Sequence, residues 1–284
     1  MCPTFLTVVS HTSNYHIQFF ICKLQFMQVI KENWYKIVAI GLIGYALIYG
    51  LTASIPELPT LEQSSRNVFY HVPMWFTTVV LMCVSVVQSI KYLRQVDPDL
   101  EKKTSHPLMM DIRAREAAGL GVMFCILGLI TGIIWSRVSW GAAIPSNDVS
   151  AWWVWDPSQT CALIALLIYL GYFLLRSSFN EEEQRAKIAA VYNIFAFAAL
   201  IPLFFIIPRM LPGLHPTADG ESTGLFDKAD LTNIYRLVLW PSALGFILLG
   251  VWMYQMRSRL SIGLYKLDHM IASKTYRKRE ARVS

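Results

Sequence analysis

Charge is what this sequence has least of. Asp, Glu, Lys and Arg make up 15% of its 284 residues, against about 25% in a typical soluble domain. With 55% hydrophobic residues, that scarcity excludes an ordinary soluble globule. Cysteine is scarce as well: Cys2, Cys22, Cys83, Cys125 and Cys161. They form no C-x-x-C pair and no C-x-x-C-H attachment signature, which excludes an evident dithiol oxidoreductase and a c-type cytochrome. They read as small apolar helix residues. Internal repeats and low-complexity tracts are also missing, so nothing divides the apolar part of the chain into units.

What is present is apolar sequence in lengths that matter. A helix of about 20 apolar residues spans a bilayer core, and six such runs occur: Tyr35–Thr52, Phe69–Leu93, Ala117–Arg137, Thr160–Leu175, Ile188–Pro208 and Leu237–Met256. The fold class expected is all-α, a polytopic membrane protein with six transmembrane helices in one bundle. Residues 27–256 form that domain. Residues 1–26 carry neither a span nor a cleavage signal and read as a dispensable extension ahead of a start at Met27, or alternatively as an interfacial helix. Residues 257–284 form a basic tail that alternates basic and apolar residues, suited to an inner leaflet.

Lys and Arg set the orientation, because cytoplasmic segments retain them. With both termini inside, the inner segments hold 20 of the 25 basic residues. The outer ones hold Arg66, Arg137, Arg209, Lys228 and Arg236. The net charge of +6 is then mainly a topological signal, and nucleic acid is not implied.

The outer face gathers the unusual residues. In "RNVFYHVPMWF", Pro73 suits a first helical turn, placing His71 at the water-facing end of the second span with Trp75 on the same face. In "IIPRMLPGLHPTADG", His215 lies between two stiffening prolines. Between them in sequence lie Trp140 and Gly141, then Trp152, Trp153, Trp155 and Asp156 in "WWVWD". Part of this has a plain explanation. Tryptophan collects at membrane interfaces, and Asp156-Pro157 with Gln159 reads as a helix N-cap, Pro at the first position and a capping box. In extended backbone Trp153 and Trp155 share a face, in helix Trp152 and Trp155 do.

Haem explains more of these residues than zinc does. Its iron accepts axial histidine, its macrocycle stacks on aromatic faces, and its propionates suit the outer arginines. Zinc would accept His71, His215 and Asp156, but it prefers four ligands and leaves the indoles unexplained.

The motifs "FYHVPMWF", "WG", "WWVWD" and "LHP", in that order over most of Trp34 to Met256, resemble the CcmC family of cytochrome c maturation proteins. The resemblance implies that His71 and His215 bind haem iron, and that Trp140, Gly141, Trp152, Trp153, Trp155 and Asp156 form the tryptophan-rich segment. It implies non-covalent haem b in transit, no catalytic residue and no enzymatic step. The implied task is presentation of haem at the outer face of a bacterial cytoplasmic membrane to a periplasmic CcmE-like haem chaperone. A small CcmD-like membrane subunit and a CcmA/CcmB-like ABC transporter module are implied partners. One departure is plain: Ala142–Ala151 separates Trp140-Gly141 from the other tryptophans, where the family has only a few residues. Hand-over also requires release, so an open, shallow site is expected.

Three rivals remain. A CcsA-type haem lyase component would add a membrane-buried histidine pair, and no histidine lies in the body of a span. A permease would show ionisable residues within the bundle, where mid-span positions are almost all apolar. A structural subunit would use the tryptophans only as anchors.

Overall fold

The computed structural model describes residues 33–55, 62–96, 107–139, 152–213, 215 and 233–283. Six long helices account for most of them: α1 (Asn33–Thr52), α2 (Val68–Val96), α3 (Leu108–Ser139), α4 (Pro157–Ser177), α5 (Glu182–Met210) and α6 (Asn233–Val283). No strand occurs among the described residues. Each helix is long and apolar enough to cross a membrane, and each expected span falls inside one of them. The bundle is also apolar on its outside, where Ile40, Ile48, Leu51, Ile134, Leu167, Leu174 and Phe195 are exposed. Such an exterior belongs in lipid rather than water. This is a multi-pass membrane protein.

Helix α2 is the hub, packed against α3, α5 and α6, while α4 packs on α3 and α5. Helix α1 lies on α2 and α6: a Cβ at Gly50 would touch the Tyr70 and Phe69 rings, and one at Gly245 would touch Ile43 and Leu42.

The prolines decide how the helix ends are built. A 3-10 turn, Glu62–Asn67, precedes α2, so the helix starts earlier than Pro73 suggested and Pro73 lies inside it. A proline at that position frees the carbonyl four residues back, Phe69. The Ser242 hydroxyl of α6 donates to that carbonyl at 2.6 Å. The relation is repeated in α6, where Pro241 frees the Leu237 carbonyl and the Tyr45 hydroxyl of α1 donates to it at 3.4 Å. Neighbouring helices satisfy what each proline leaves open, as membrane helices require. In α5 the chain widens into a π turn at Pro202–Ile206, with the Ile207 N–H bonded to the Pro202 carbonyl. That turn sets Phe204 edge-on against Trp75 of α2, ring centroids 5.5 Å apart.

The opposite end of the bundle is tied by charge. Arg176 of α4 makes two bonds to Asp111 of α3, at 2.6 and 2.7 Å, and both side chains are buried. Glu116, also buried, accepts from Arg115 at 2.7 Å, Arg257 at 2.9 Å and Ser261 at 2.9 Å. The expectation of almost wholly apolar mid-span positions is amended here too. Asn193 is fully buried and donates to Ser85 and Ser89 at 2.8 Å each. Helix α6 runs unbroken past this end, 51 residues in all, a rod of about 75 Å at 1.5 Å per residue. The basic tail is therefore an extension of the last span. The 1–26 segment lies outside the described residues.

Candidate functional site

His71 occupies the first turn of α2 and is only 7% exposed. This differs from the water-facing position expected, because the 3-10 turn and the start of α2 carry the chain past it. Small residues of α3 make the space it occupies. A Cβ at Gly132 would stand 2.9 Å from His71 Cε1, and one at Gly128 would stand 2.9 Å from two atoms of the Trp75 indole. Gly128 and Gly132 are one helical turn apart, as are His71 and Trp75, so two rings of α2 lie along a smooth strip of α3.

Both imidazole nitrogens have partners. The Trp75 indole N–H donates to Nε2 at 3.1 Å, and Nδ1 is 3.0 Å from the Thr131 hydroxyl. Indole nitrogen only donates, so Nε2 is the acceptor and the ring proton sits on Nδ1, donating to Thr131. The Thr131 hydroxyl passes its own proton to the Leu127 or Gly128 carbonyl, at 2.9 and 3.0 Å. Trp135 closes the other side edge-on, centroids 5.7 Å apart. Thr131, Trp135 and the two glycines were missed from sequence, where their only signal is small residues at i and i+4 in an apolar run.

His215 is half-buried and is held by Asp156. One oxygen of that carboxylate caps α4, accepting from the Ser158 N–H at 2.9 Å. The other accepts the His215 backbone N–H at 3.3 Å. Pro157 sits at the first helical position as expected. The Gln159 amide nitrogen is buried without a hydrogen-bond partner. Asp156 is more than a cap: it ties the His215 segment to the start of α4. Burial holds the His215 imidazole below its ordinary pKa, and the Asp156 carboxylate pulls it partly back. That favours the neutral ring, the form that ligates metals. His215 and His71 lie at the same end of the bundle: Trp152, beside the segment that holds His215, meets Arg137 at the end of α3, and Gly132 of α3 faces His71.

The tryptophans divide. Residues 153–156 are irregular rather than helical, and Trp153 and Trp155 meet at 5.7 Å, nearly perpendicular, the pairing expected of extended backbone. Trp155 is 76% exposed, whereas the Trp153 indole nitrogen is buried with no hydrogen-bond partner. Trp152 turns away to the Arg137 guanidinium, 5.7 Å from its ring centre. Arg66, one of the arginines considered for an anionic ligand, is committed elsewhere. It donates to the Gly50 and Ala53 carbonyls at 2.8 Å each and so closes the end of α1. Trp140, Gly141 and the Ala142–Ala151 segment lie outside the described residues. Among the described residues no three His, Cys, Asp or Glu side chains are grouped to hold a metal ion. Cys83, Cys125 and Cys161 are free thiols.

The glycine strip gives a direct test. Gly132→Ala should displace the His71 ring and destabilise the protein by roughly 1–3 kcal/mol, the cost of overpacking. Gly263→Ala, with nothing within 4 Å of the added carbon, should be neutral. Thermal unfolding in detergent compares them, and equal midpoints would mean the close approach at Gly132 is not real.

Fold and site together define a polytopic helical membrane protein with a histidine–indole cluster at one end of its bundle. The chain belongs to the CcmC family: the model described as "Heme exporter protein C" matches residues 20–272. It is 26% identical over 226 residues to Heme exporter protein C of Paracoccus denitrificans, covering 80% of this chain and 84% of that one. It is 25% identical over 228 residues to the Haemophilus influenzae protein of the same name, covering 80% and 83%. Cytochrome c biogenesis protein CcsA of Prochlorococcus marinus strain SARG is 27% identical over 175 residues, 58% of this chain and 49% of that protein.

Proposed function

We propose that the protein binds haem at the outer face of a bacterial cytoplasmic membrane and presents it for cytochrome c maturation. His71 and His215 are the iron ligands and the tryptophan segment is the platform. The carrying observation is the convergence, at one end of the bundle, of two histidines from segments far apart in sequence. Thr131 holds the His71 proton on Nδ1 and so puts the ring's lone pair on Nε2, the outer-shell arrangement expected of a histidine ligand.

The residues present fit the cargo. The indole nitrogens of Trp135 and Trp153 and the Gln159 amide nitrogen are buried donors without acceptors in the protein, and haem carries carboxylates. Trp153 and Trp155 offer a hydrophobic edge for a macrocycle. Asp156 holds the second ligand's backbone and the Arg137–Trp152 pair stands at the rim. The work is binding, orientation and release, with haem b non-covalent and in transit. The relatives' names point to haem export and cytochrome c biogenesis. A CcmE-like chaperone as acceptor, a CcmD-like small subunit and a CcmA/CcmB-like ABC module complete the reading.

The burial of His71 changes one part of it. The site is closed around this imidazole rather than open and shallow, so haem entry requires local rearrangement of α2 against α3.

The protein purified in detergent should show a Soret band, or acquire one on titration with hemin. If it shows none under either condition, the haem reading is wrong. The orientation is tested separately. Alkaline phosphatase fused after Pro145 or Gly220 should be active, and fused after Glu101 or Ser178 inactive. The reverse pattern would put the histidines on the cytoplasmic side.

A further inference from the structure

The nitrogen that iron needs is already occupied. His71 Nε2 accepts the Trp75 indole N–H at 3.1 Å, and a neutral imidazole has a single lone pair, lying in its ring plane on its unprotonated nitrogen. Iron coordination through Nε2 and acceptance of the indole proton are therefore mutually exclusive. Nδ1 offers no alternative, because it carries the proton donated to Thr131.

We propose that Trp75 is an exchangeable placeholder: its N–H occupies the His71 lone pair when the site is empty, gives it up to iron, and takes it back as haem leaves. This rests on reading His71 as an iron ligand.

Three features suit Trp75 to the task. It sits one helical turn from His71, so it reaches the ring without help from another element. Its indole lies against the bare backbone strip at Gly128 and against the edge of Phe204, contacts that hold the ring in place without engaging its nitrogen. Thr131 fixes the same tautomer for both partners, so the exchange moves no proton. What changes is one N–H···N bond for one N–Fe bond. An empty imidazole in an apolar setting carries a desolvated acceptor, which is costly unless paired. The indole stabilises the empty state and thereby weakens net haem affinity, which suits a protein that must hand its cargo on.

The sign of the effect separates this role from packing. Removing a structural tryptophan loosens a pocket and weakens binding; removing a competitor tightens it. The experiment places β-(3-benzothienyl)alanine at position 75 by suppression, keeping a bicyclic aromatic ring while a sulfur that cannot donate replaces the N–H, with Trp75→Phe as the conventional variant and Phe204→Leu as the packing control. Hemin is titrated into each purified full-length protein, and retention is read by transfer to excess apomyoglobin. We expect the benzothienyl variant to bind hemin roughly three- to tenfold more tightly, the worth of one hydrogen bond. Its Soret position should be unchanged because the axial ligand is the same. Equal or weaker binding by that variant, or equal tightening by Phe204→Leu, would overturn the exchange. His71→Ala in parallel keeps the two ideas apart. An unchanged spectrum there removes the ligand assignment itself, whereas its loss beside a neutral benzothienyl variant removes only the placeholder.

Discussion

His71→Ala/His215→Ala, at wild-type abundance in membranes, is expected to lose the Soret band that the proposed haem site should give the unaltered protein. Each single change should shift the spectrum, because on the proposed reading an axial ligand to iron is replaced directly. Trp153→Ala and Trp155→Ala should leave the band in place and lower retention, since an aromatic pair is worth about 0.5–1.5 kcal/mol beyond its buried area. Asp156→Asn falls between these classes. As a cap alone it would be nearly silent, because Asn caps about as well as Asp. The second carboxylate oxygen, however, accepts the His215 N–H, and an amide that keeps its oxygen on Ser158 presents nitrogen to that donor. The His215 segment then loses its tether, and the spectrum should move toward that of His215→Ala without reaching it. An unchanged spectrum in the double histidine variant would sink the site and return the tryptophans to an interfacial belt.

The parts legible in the sequence were those governed by composition and period. Long apolar runs can only be spans, so all six helices were foreseen, and the spacing of His71 and Trp75 placed them on one face. What escaped depends on neighbours that no local pattern encodes. Pro73 suggested a first turn, yet it lies within α2 because Ser242, 173 residues away from Phe69 in sequence, accepts the carbonyl-bonding role that Pro73 leaves vacant. The depth of His71 depends on two glycines of another helix whose only individual feature is a missing side chain. Whether Asp156 was a cap or something more could not be decided from "WDPSQ", since its second oxygen is used by a residue 59 positions on. The sequence is compatible with two backbones at the tryptophans, and irregular backbone at 153–156 brings the Trp153 and Trp155 rings together.

The same limit hid the other end of the bundle, where the second large effect is expected. In sequence Asp111 lies between the second and third apolar runs and Arg176 directly follows the fourth, and nothing in either stretch marks them as partners. In the fold both are buried and doubly bonded, and the Tyr172 hydroxyl lies 3.3 Å from the same guanidinium. Asp111→Ala leaves that guanidinium buried without its counter-charge, a change that typically costs about 3–5 kcal/mol. Asp111→Asn keeps an oxygen for one of the two bonds and should cost less. Replacing both partners by apolar residues of similar size, Asp111→Leu with Arg176→Met, should recover much of the loss, because no charge then remains to be solvated. Thermal unfolding in detergent ranks the three. A midpoint for Asp111→Ala indistinguishable from the parent would mean that lipid or water reaches Arg176 and that the pair is not closed. The hemin spectrum adds a second reading. Helix α4 carries Arg176 at one end and takes its cap from Asp156 at the other, and α3 carries both Asp111 and the Thr131–Gly132 strip. If those helices are rigid rods, Asp111→Asn should weaken the bundle while leaving the Soret position where it was. A shifted band in that variant would show that the clasp sets the geometry of the histidine site from the far side of the membrane.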